Sequence, residues 1–264
     1  MGHSMDYLLY VMDTRALEDD AEFERWLEMV SEYRRRKVLR LRRREDRNAS
    51  LAAGCLLSYA LKQYAGIDER NIVYIKNKSG KPFIIENYDE QYDLGRNAPG
   101  VDRMCASAYR NDNTDIQFSI SHTEGCVAVV VGENVCGIDV EHIRRIPDSI
   151  VNRMYSKIAD IEDESEKADI YSTCVWTRRE AFGKMTGTGL LMSDPDQKKV
   201  MDDGYMAERN AVLTNYEIGQ YPSGKLFIIN CKESVKAQFV VAVCSEKDAS
   251  IADLHVIDSH KLEI

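Results

Sequence analysis

The sequence lacks the features that mark membrane, secreted and zinc-binding proteins. Its longest apolar stretches, at 127–131 and 239–244, fall far short of the ~20 residues that a membrane-spanning helix needs. The seven cysteines form no CxxC pair, which favours buried, reduced thiols over disulfides or a zinc site. No secretory leader is visible, and residues 1–4 (MGHS) resemble the remnant of an expression tag. We therefore expect a cytoplasmic protein with no membrane segment.

Positive charge is also scarce, except in one segment. The net charge is −9, which argues against general affinity for nucleic acids. Residues 34–47 (RRRKVLRLRRREDR) nevertheless carry nine Lys or Arg against two acids. This run is either a solvated helix face, an anion site for phosphates or a docking surface for an acidic partner. Composition does not choose among the three.

The hydrophobic periodicity predicts both helices and strands. Apolar residues from Phe23 to Val30 follow the i, i+3, i+4, i+7 spacing of an amphipathic helix that continues into the basic segment. A second helix is predicted from an N-cap at Asn48 to a stop at Gly66, and a third over 169–186. Strands are predicted at 7–13, 71–77, 81–85, 117–121, 126–132, 135–141, 211–219, 224–230 and 237–245, with those between 117 and 141 forming a meander.

One segment of the chain recurs. SGKPFII at 79–85 returns as SGKLFII at 223–229, and a second apolar hairpin signal follows in each case. Either two hairpins agree by chance, or the chain contains two similar halves with a cleft between them.

A cluster of acids at the end of an apolar strand raises the question of function. Asp139 and Glu141 are spaced i, i+2, so on a strand their carboxylates point to the same side and repel each other unless a cation or solvent lies between them. Glu180 and Lys184 lie one turn apart on the third predicted helix. Such acids are often only a solvated strand end and a surface ion pair. If the three carboxylates meet, they suit Mg²⁺, which binds a few carboxylates together with water and substrate phosphates.

Three motifs occur in a characteristic order: FSISHT at 118–123, GIDVE at 137–141 and WTRREAFGK at 176–184. Together with GKP at 80–82 and REDRNASL at 44–51, they resemble the 4′-phosphopantetheinyl transferases of the two-lobed surfactin-synthetase-activator type. The resemblance implies an α+β fold with two similar lobes related by a pseudo-twofold, each a small antiparallel sheet packed on a long helix. We expect the N-terminal lobe to cover 5–120 and the C-terminal lobe 121–264, with coenzyme A (CoA) in the cleft between them.

The resemblance also implies a reaction. In this family, the 4′-phosphopantetheine arm of CoA is transferred with magnesium to a serine of an apo acyl or peptidyl carrier protein, and 3′,5′-ADP is released. By resemblance, Asp139, Glu141 and Glu180 hold Mg²⁺, Glu180 also takes the serine proton, and Lys184 stabilises charge on the leaving diphosphate. The alternative is a degenerate relative that holds CoA or a carrier without transfer. A nucleic-acid binder is a third possibility that the overall acidity disfavours.

Further positions match the family's CoA-binding residues: Arg34, Lys37, Ser50, Lys81, Ser121 and His122. By resemblance, Ser121 and His122 contact the 3′-phosphate and adenylate end of CoA. Two other positions, each next to a predicted site residue, depart from the family pattern. Arg179 stands where the family usually has Lys, which keeps the positive charge but changes its geometry. Ala49 stands where the family usually has Arg, so part of the binding of the 3′-phosphate differs here. The expected partners are CoA and a carrier protein, with no nucleic acid and no membrane, and the duplicated lobes imply a monomer.

Overall fold

The computed structural model describes residues 7–68, 73–76, 82–85, 116–147, 149–150, 166–187, 219–221, 224–230, 238–245, 251–259 and 262. Among these residues, no helix is both long enough and apolar enough to cross a membrane.

The first sheet has four strands in the order β10-β1-β5-β4. Its members are β1 (Tyr7–Asp13), β4 (Gln117–Thr123), β5 (Cys126–Gly132) and β10 (Ile251–Ile257). All neighbours are antiparallel except β1 and β10, which run parallel. A short 3₁₀ helix and three α-helices accompany this sheet: Arg15–Glu18, α1 (Asp20–Met29), α2 (Glu32–Arg40) and α3 (Arg44–Ala65). A separate hairpin joins β2 (Val73–Lys76) to β3 (Pro82–Ile85).

The second sheet is antiparallel and has the order β6-β9-β8-β7. Its members are β6 (Cys136–His142), β7 (Gly219–Tyr221), β8 (Gly224–Asn230) and β9 (Gln238–Ser245). A long helix, α4 (Glu166–Thr186), packs on β6 and β9. The predicted α+β fold, with two sheets each packed on a long helix, is confirmed.

The two sheets face each other, and this explains the uninterrupted apolar strands. Alternate residues of β1 and β5 pack against β6, β8 and β9 in one core, while the intervening residues pack against α1, α2 and α3 in another. A third core lies between the second sheet and α4. Because both faces of β5 are covered, every residue from Cys126 to Gly132 is buried.

The structure corrects three local predictions. The first helix does not continue into the basic run: it ends at Met29, and Ser31 begins α2 by accepting a hydrogen bond from the Arg34 backbone N–H. Asn48 is not an N-cap, since α3 begins at Arg44, although the helix does stop at Gly66, whose φ is 69°. The meander is wrong in its last strand: β6 pairs with β9 because β1 and β4 already occupy both edges of β5.

The boundary expected at residues 120/121 falls inside β4, and the exact limits of the two lobes remain a prediction. Strands β4 and β5 belong to the first sheet, and the chain passes to the second sheet between β5 and β6. The recurring segments at 79–85 and 223–229 supply β3 and β8, each in an antiparallel pairing. The 86–115 loop and most of the predicted strand at 211–219 lie outside the described residues.

Candidate active site

A glycine sets the distance between strand β6 and helix α4. A Cβ placed on Gly137 would lie 2.0 Å from the Ala181 carbonyl oxygen and 2.5 Å from the Met185 backbone nitrogen. Real side chains do not tolerate such distances, so only glycine permits the helix to approach the strand this closely. The close approach brings the acids of β6 within reach of the side chains on the facing side of α4.

Lys184 of α4 makes this contact directly. Its Nζ donates to Asp139 Oδ1 at 2.7 Å and to the Ser121 hydroxyl at 2.7 Å, while Ser121 Oγ donates to the same Asp139 oxygen at 2.6 Å. Asp139 and Ser121 are both buried, and the Lys184 side chain is about one-third exposed. The contact therefore joins β4, β6 and α4 at one point.

Glu141 is held by two other groups. The Trp176 indole N–H donates to Glu141 Oε1 at 3.2 Å, and Arg144 Nη2 lies 3.7 Å from Glu141 Oε2. Trp176, Glu180 and Lys184 are spaced i, i+4, i+8, so the same stripe of α4 faces the acidic end of β6.

The three carboxylates lie close enough to influence one another. Burial raises the pKa of Glu141, and the negative charge of Asp139 raises it further. Burial likewise raises the pKa of Glu180, with Asp139 and Glu141 adding to the increase and Lys184 opposing it. The positive charges of Lys184, Arg144 and Arg179 oppose this rise but do not cancel it, since the pKa of both glutamates stays above its ordinary value.

The chemical types of these side chains suit a divalent cation, although their present arrangement does not form a metal site. Within the described part of the chain, no three His, Cys, Asp or Glu side chains are arranged to hold a metal ion. Asp139 Oδ2, however, is buried and has no hydrogen-bond partner. A buried carboxylate oxygen without a partner is costly, and the neighbouring acids are oxygen ligands of the kind that Mg²⁺ prefers.

His122 points away from Ser121, as neighbouring residues on a strand must. Burial lowers the pKa of its imidazole, as do the charges of Lys184 and Lys37, and nearby aspartates oppose the shift. Lys37 of α2 is close enough for its charge to act on His122 at the end of β4. Two of the predicted phosphate-binding residues, distant in sequence, therefore share one region.

Arg34 and Ser50 also belong to this region of α2 and α3. Arg34 is buried and lies in a notch left by Gly54, where a Cβ would approach Arg34 Cδ to 2.8 Å. The Ser50 hydroxyl is buried and has no hydrogen-bond partner, as expected for a group reserved for a ligand. Lys81 lies outside the described residues, and its role stays a prediction.

A cleft of about 690 Å³ opens beside His122, between the start of α3, the β4–β5 turn and the end of β6. It is lined by Asp13, Thr14, Arg15, Glu18, Arg44, Glu45, Asp46, Asn48, Ala49, His122, Thr123, Glu124, Gly125, His142 and Phe239. His142 Nε2 contacts the Glu124 carbonyl oxygen at 2.6 Å and its ring packs on Phe239, so contacts between the two sheets close one end.

The structure adds roles that motif spacing did not predict. Gly137 had no assigned role, although a glycine inside an apolar strand often marks close approach of another backbone. Trp176 enters the sequence analysis only as the first residue of the WTRREAFGK motif, and its hydrogen bond to Glu141 depends on the packing of α4. The bonds from Ser121 to Asp139 and Lys184 required knowledge that β4 and β6 face each other.

Comparisons with known proteins agree with the motif order. A family model described as 4′-phosphopantetheinyl transferase superfamily matches residues 135–244, and one described as 4′-phosphopantetheinyl transferase, N-terminal, matches 18–135. The chain is 26% identical over 191 residues to the 4′-phosphopantetheinyl transferase Sfp of Bacillus subtilis (strain 168), covering 70% of this chain and 73% of that protein. It is 24% identical over 263 residues to a 4′-phosphopantetheinyl transferase of Paxillus involutus, covering 89% and 86%.

Proposed function

The chain belongs to the 4′-phosphopantetheinyl transferase superfamily, and we propose that it transfers the 4′-phosphopantetheine arm of CoA to a serine of an apo acyl or peptidyl carrier protein. The reaction requires Mg²⁺ and releases 3′,5′-ADP. The enzyme acts as a monomer in the cytoplasm, a location consistent with the burial of its five described cysteines.

The observation that carries this proposal is the meeting of β6 and α4. Two acids of the strand, Asp139 and Glu141, interact electrostatically with Glu180 of the helix, and Lys184 bonds directly to Asp139. A purely structural ion pair would need one acid and one base. Here three carboxylates share one lysine that bonds to Asp139, and Arg144 makes only a longer contact of 3.7 Å with Glu141, which supports a site for a cation and a diphosphate.

Mg²⁺ would be held by Asp139, Glu141 and Glu180, with Asp139 Oδ2 as the ligand atom that now has no partner. When bound, the metal neutralises negative charge on the pyrophosphate of CoA.

Glu180 is the general base in the proposed reaction. Its raised pKa makes the carboxylate a better proton acceptor than an exposed glutamate. The serine hydroxyl gives its proton to Glu180, and the serine oxygen forms a bond to the phosphorus that carries the pantetheine arm. The phosphoanhydride bond to the nucleotide breaks, and its electron pair leaves with 3′,5′-ADP. Lys184 stabilises the charge that develops on the departing phosphate.

The nucleotide end of CoA would bind between α2, α3 and the end of β4. Lys37 and His122 act on one another electrostatically, and the unpartnered Ser50 hydroxyl supplies a donor for a phosphate oxygen. Arg34 and Lys81 complete the proposed anion site. This assignment gives part of the basic run a function and leaves its remaining cations as surface charge.

The test is the mass of an apo-carrier after incubation with the protein, CoA and Mg²⁺, repeated over a panel of carriers. We expect the carrier to gain one phosphopantetheine group. Glu180→Gln should abolish the gain, whereas Glu24→Gln, which removes an exposed carboxylate from α1, should not. CoA binding without any mass gain across the panel would instead support a non-catalytic relative.

A further inference from the structure

We propose that Ser121 is a positioning residue for Asp139 and Lys184, and not a ligand of the CoA 3′-phosphate. The inference rests on the proposed function and revises the role that the family resemblance implies for this residue. It starts from the three-way contact in which Ser121 donates to Asp139 Oδ1 and accepts from Lys184 Nζ.

The hydroxyl has only one proton to donate. In the structure that proton goes to Asp139 Oδ1 over 2.6 Å, a distance typical of a hydrogen bond to a charged oxygen. A phosphate oxygen needs a donor, so Ser121 could bind it only by giving up the bond to Asp139. The hydroxyl oxygen is already occupied as well, since it accepts from Lys184 at 2.7 Å.

The geometry of β4 separates Ser121 from the proposed phosphate site. Ser119 and Ser121 are buried on the side that faces β6, where Ser119 Oγ accepts from the Ile138 backbone N–H at 3.1 Å. Phe118 and Ile120 lie on the other side, in the core formed with the helices. His122 continues that second side, where the charges of both Lys184 and Lys37 act on its imidazole. Because side chains alternate along a strand, Ser121 and His122 of the SH motif lie on opposite sides of β4.

The consequence is a defined orientation for the Asp139 carboxylate. Its Oδ1 accepts from both Ser121 and Lys184, so the carboxylate cannot rotate without breaking two hydrogen bonds. Oδ2, which is buried and has no hydrogen-bond partner, is left as the oxygen available to a ligand. Residues that orient a metal ligand in this way typically change metal affinity by about 10–100-fold when they are removed.

The experiment compares Ser121→Ala with Ser119→Ala, a matched loss of a buried hydroxyl on the same side of the same strand. Binding of 3′,5′-ADP is measured by calorimetry without divalent cation. Binding of Mn²⁺ is measured by electron paramagnetic resonance with saturating CoA and no carrier, so that no turnover occurs. We expect Ser121→Ala to leave 3′,5′-ADP affinity within about twofold and to weaken Mn²⁺ binding by about tenfold or more. Ser119→Ala should change neither, and Ser121→Thr should restore Mn²⁺ binding.

Loss of 3′,5′-ADP affinity in Ser121→Ala, alone or together with Mn²⁺ affinity, would overturn the inference, as would unchanged Mn²⁺ binding. If Ser121→Ala does not fold, Ser121→Cys, which keeps the volume and donates only weakly, takes its place. Failure of the proposed function is a separate result: the unmodified protein would then add no phosphopantetheine group to any carrier of the panel, whether or not it binds CoA and Mn²⁺.

Discussion

Gly137→Ala should disturb the active site more than a change to alanine at any other described glycine. The new Cβ would lie 2.0 Å from the Ala181 carbonyl oxygen. An ordinary contact at this point is about 3.4 Å, so β6 and α4 must separate by about 1.4 Å, or the strand must distort by a similar amount. The atoms in conflict all belong to backbone, which cannot rotate out of the way.

This displacement predicts two separable losses. Overpacking of this kind typically costs about 1–3 kcal/mol of unfolding free energy, partly offset by the ~0.4–1 kcal/mol gained when glycine leaves the unfolded chain. We expect a net loss of about 1 kcal/mol. The Trp176–Glu141 hydrogen bond, now 3.2 Å, would lengthen beyond bonding range. A misplacement of about 1 Å in a catalytic group can cost about 100-fold in rate, and we expect a loss of that order in turnover.

Chemical denaturation and the carrier-mass assay measure the two losses. Gly66→Ala is the control: its φ of 69° strains an alanine, but no other atoms lie near its new Cβ and the site is remote from α4. We expect it to lose about 1 kcal/mol of stability and to keep its turnover. Gly137→Ala with normal turnover, measured where the variant is fully folded, would refute the argument that this glycine sets the strand–helix distance.

Three further predictions follow from the described contacts. Asp139→Asn should reduce transfer by at least about 100-fold and raise the Mg²⁺ concentration for half-maximal rate by at least about tenfold; an unchanged magnesium titration would count against Asp139 as a ligand. Gly54→Ala should weaken 3′,5′-ADP binding, because the new Cβ would displace Arg34. In an Arg34→Ala background the same change should raise the unfolding free energy by about 0.5–1 kcal/mol. A lower unfolding free energy in both backgrounds would contradict the view that Gly54 makes room for Arg34. Burial and the charges of Lys184 and Lys37 lower the pKa of His122, and a phosphate bound beside the ring would raise that pKa, so that the imidazole takes up a proton on binding. Relative to His122→Gln, the unmodified protein should therefore gain 3′,5′-ADP affinity as the pH falls below about 6.5. Parallel pH profiles would contradict a phosphate contact.

Local patterns predicted most of the elements near the site but not all of their pairings. The strand 7–13 and the helix stop at Gly66 match the structure, because an apolar run and a glycine act over a few residues. The placement of β6 depends on whether β5 has a free edge, which is a property of the whole sheet. Strand β10 lies outside the predicted elements, and its parallel pairing with β1 joins opposite ends of the chain.

The candidate site shows the same division. Residue spacing predicted which side chains share one face of a single element: Asp139 with Glu141 on a strand, and Glu180 with Lys184 on a helix. Their electrostatic interaction required the packing of α4 on β6, which Gly137 allows. Motif similarity assigned Ser121 to CoA binding together with His122. In the structure, the alternation of side chains along β4 directs Ser121 to Asp139 instead.

The central claim is that carboxylates from two separate elements converge on one divalent cation that grips the diphosphate of CoA. The most direct test is the anomalous difference density of Mn²⁺ in crystals grown with CoA. We expect a single manganese peak within about 2.5 Å of oxygens from Asp139, Glu141 and Glu180 and in contact with the pyrophosphate. A peak that touches none or only one of these carboxylates would contradict the claim.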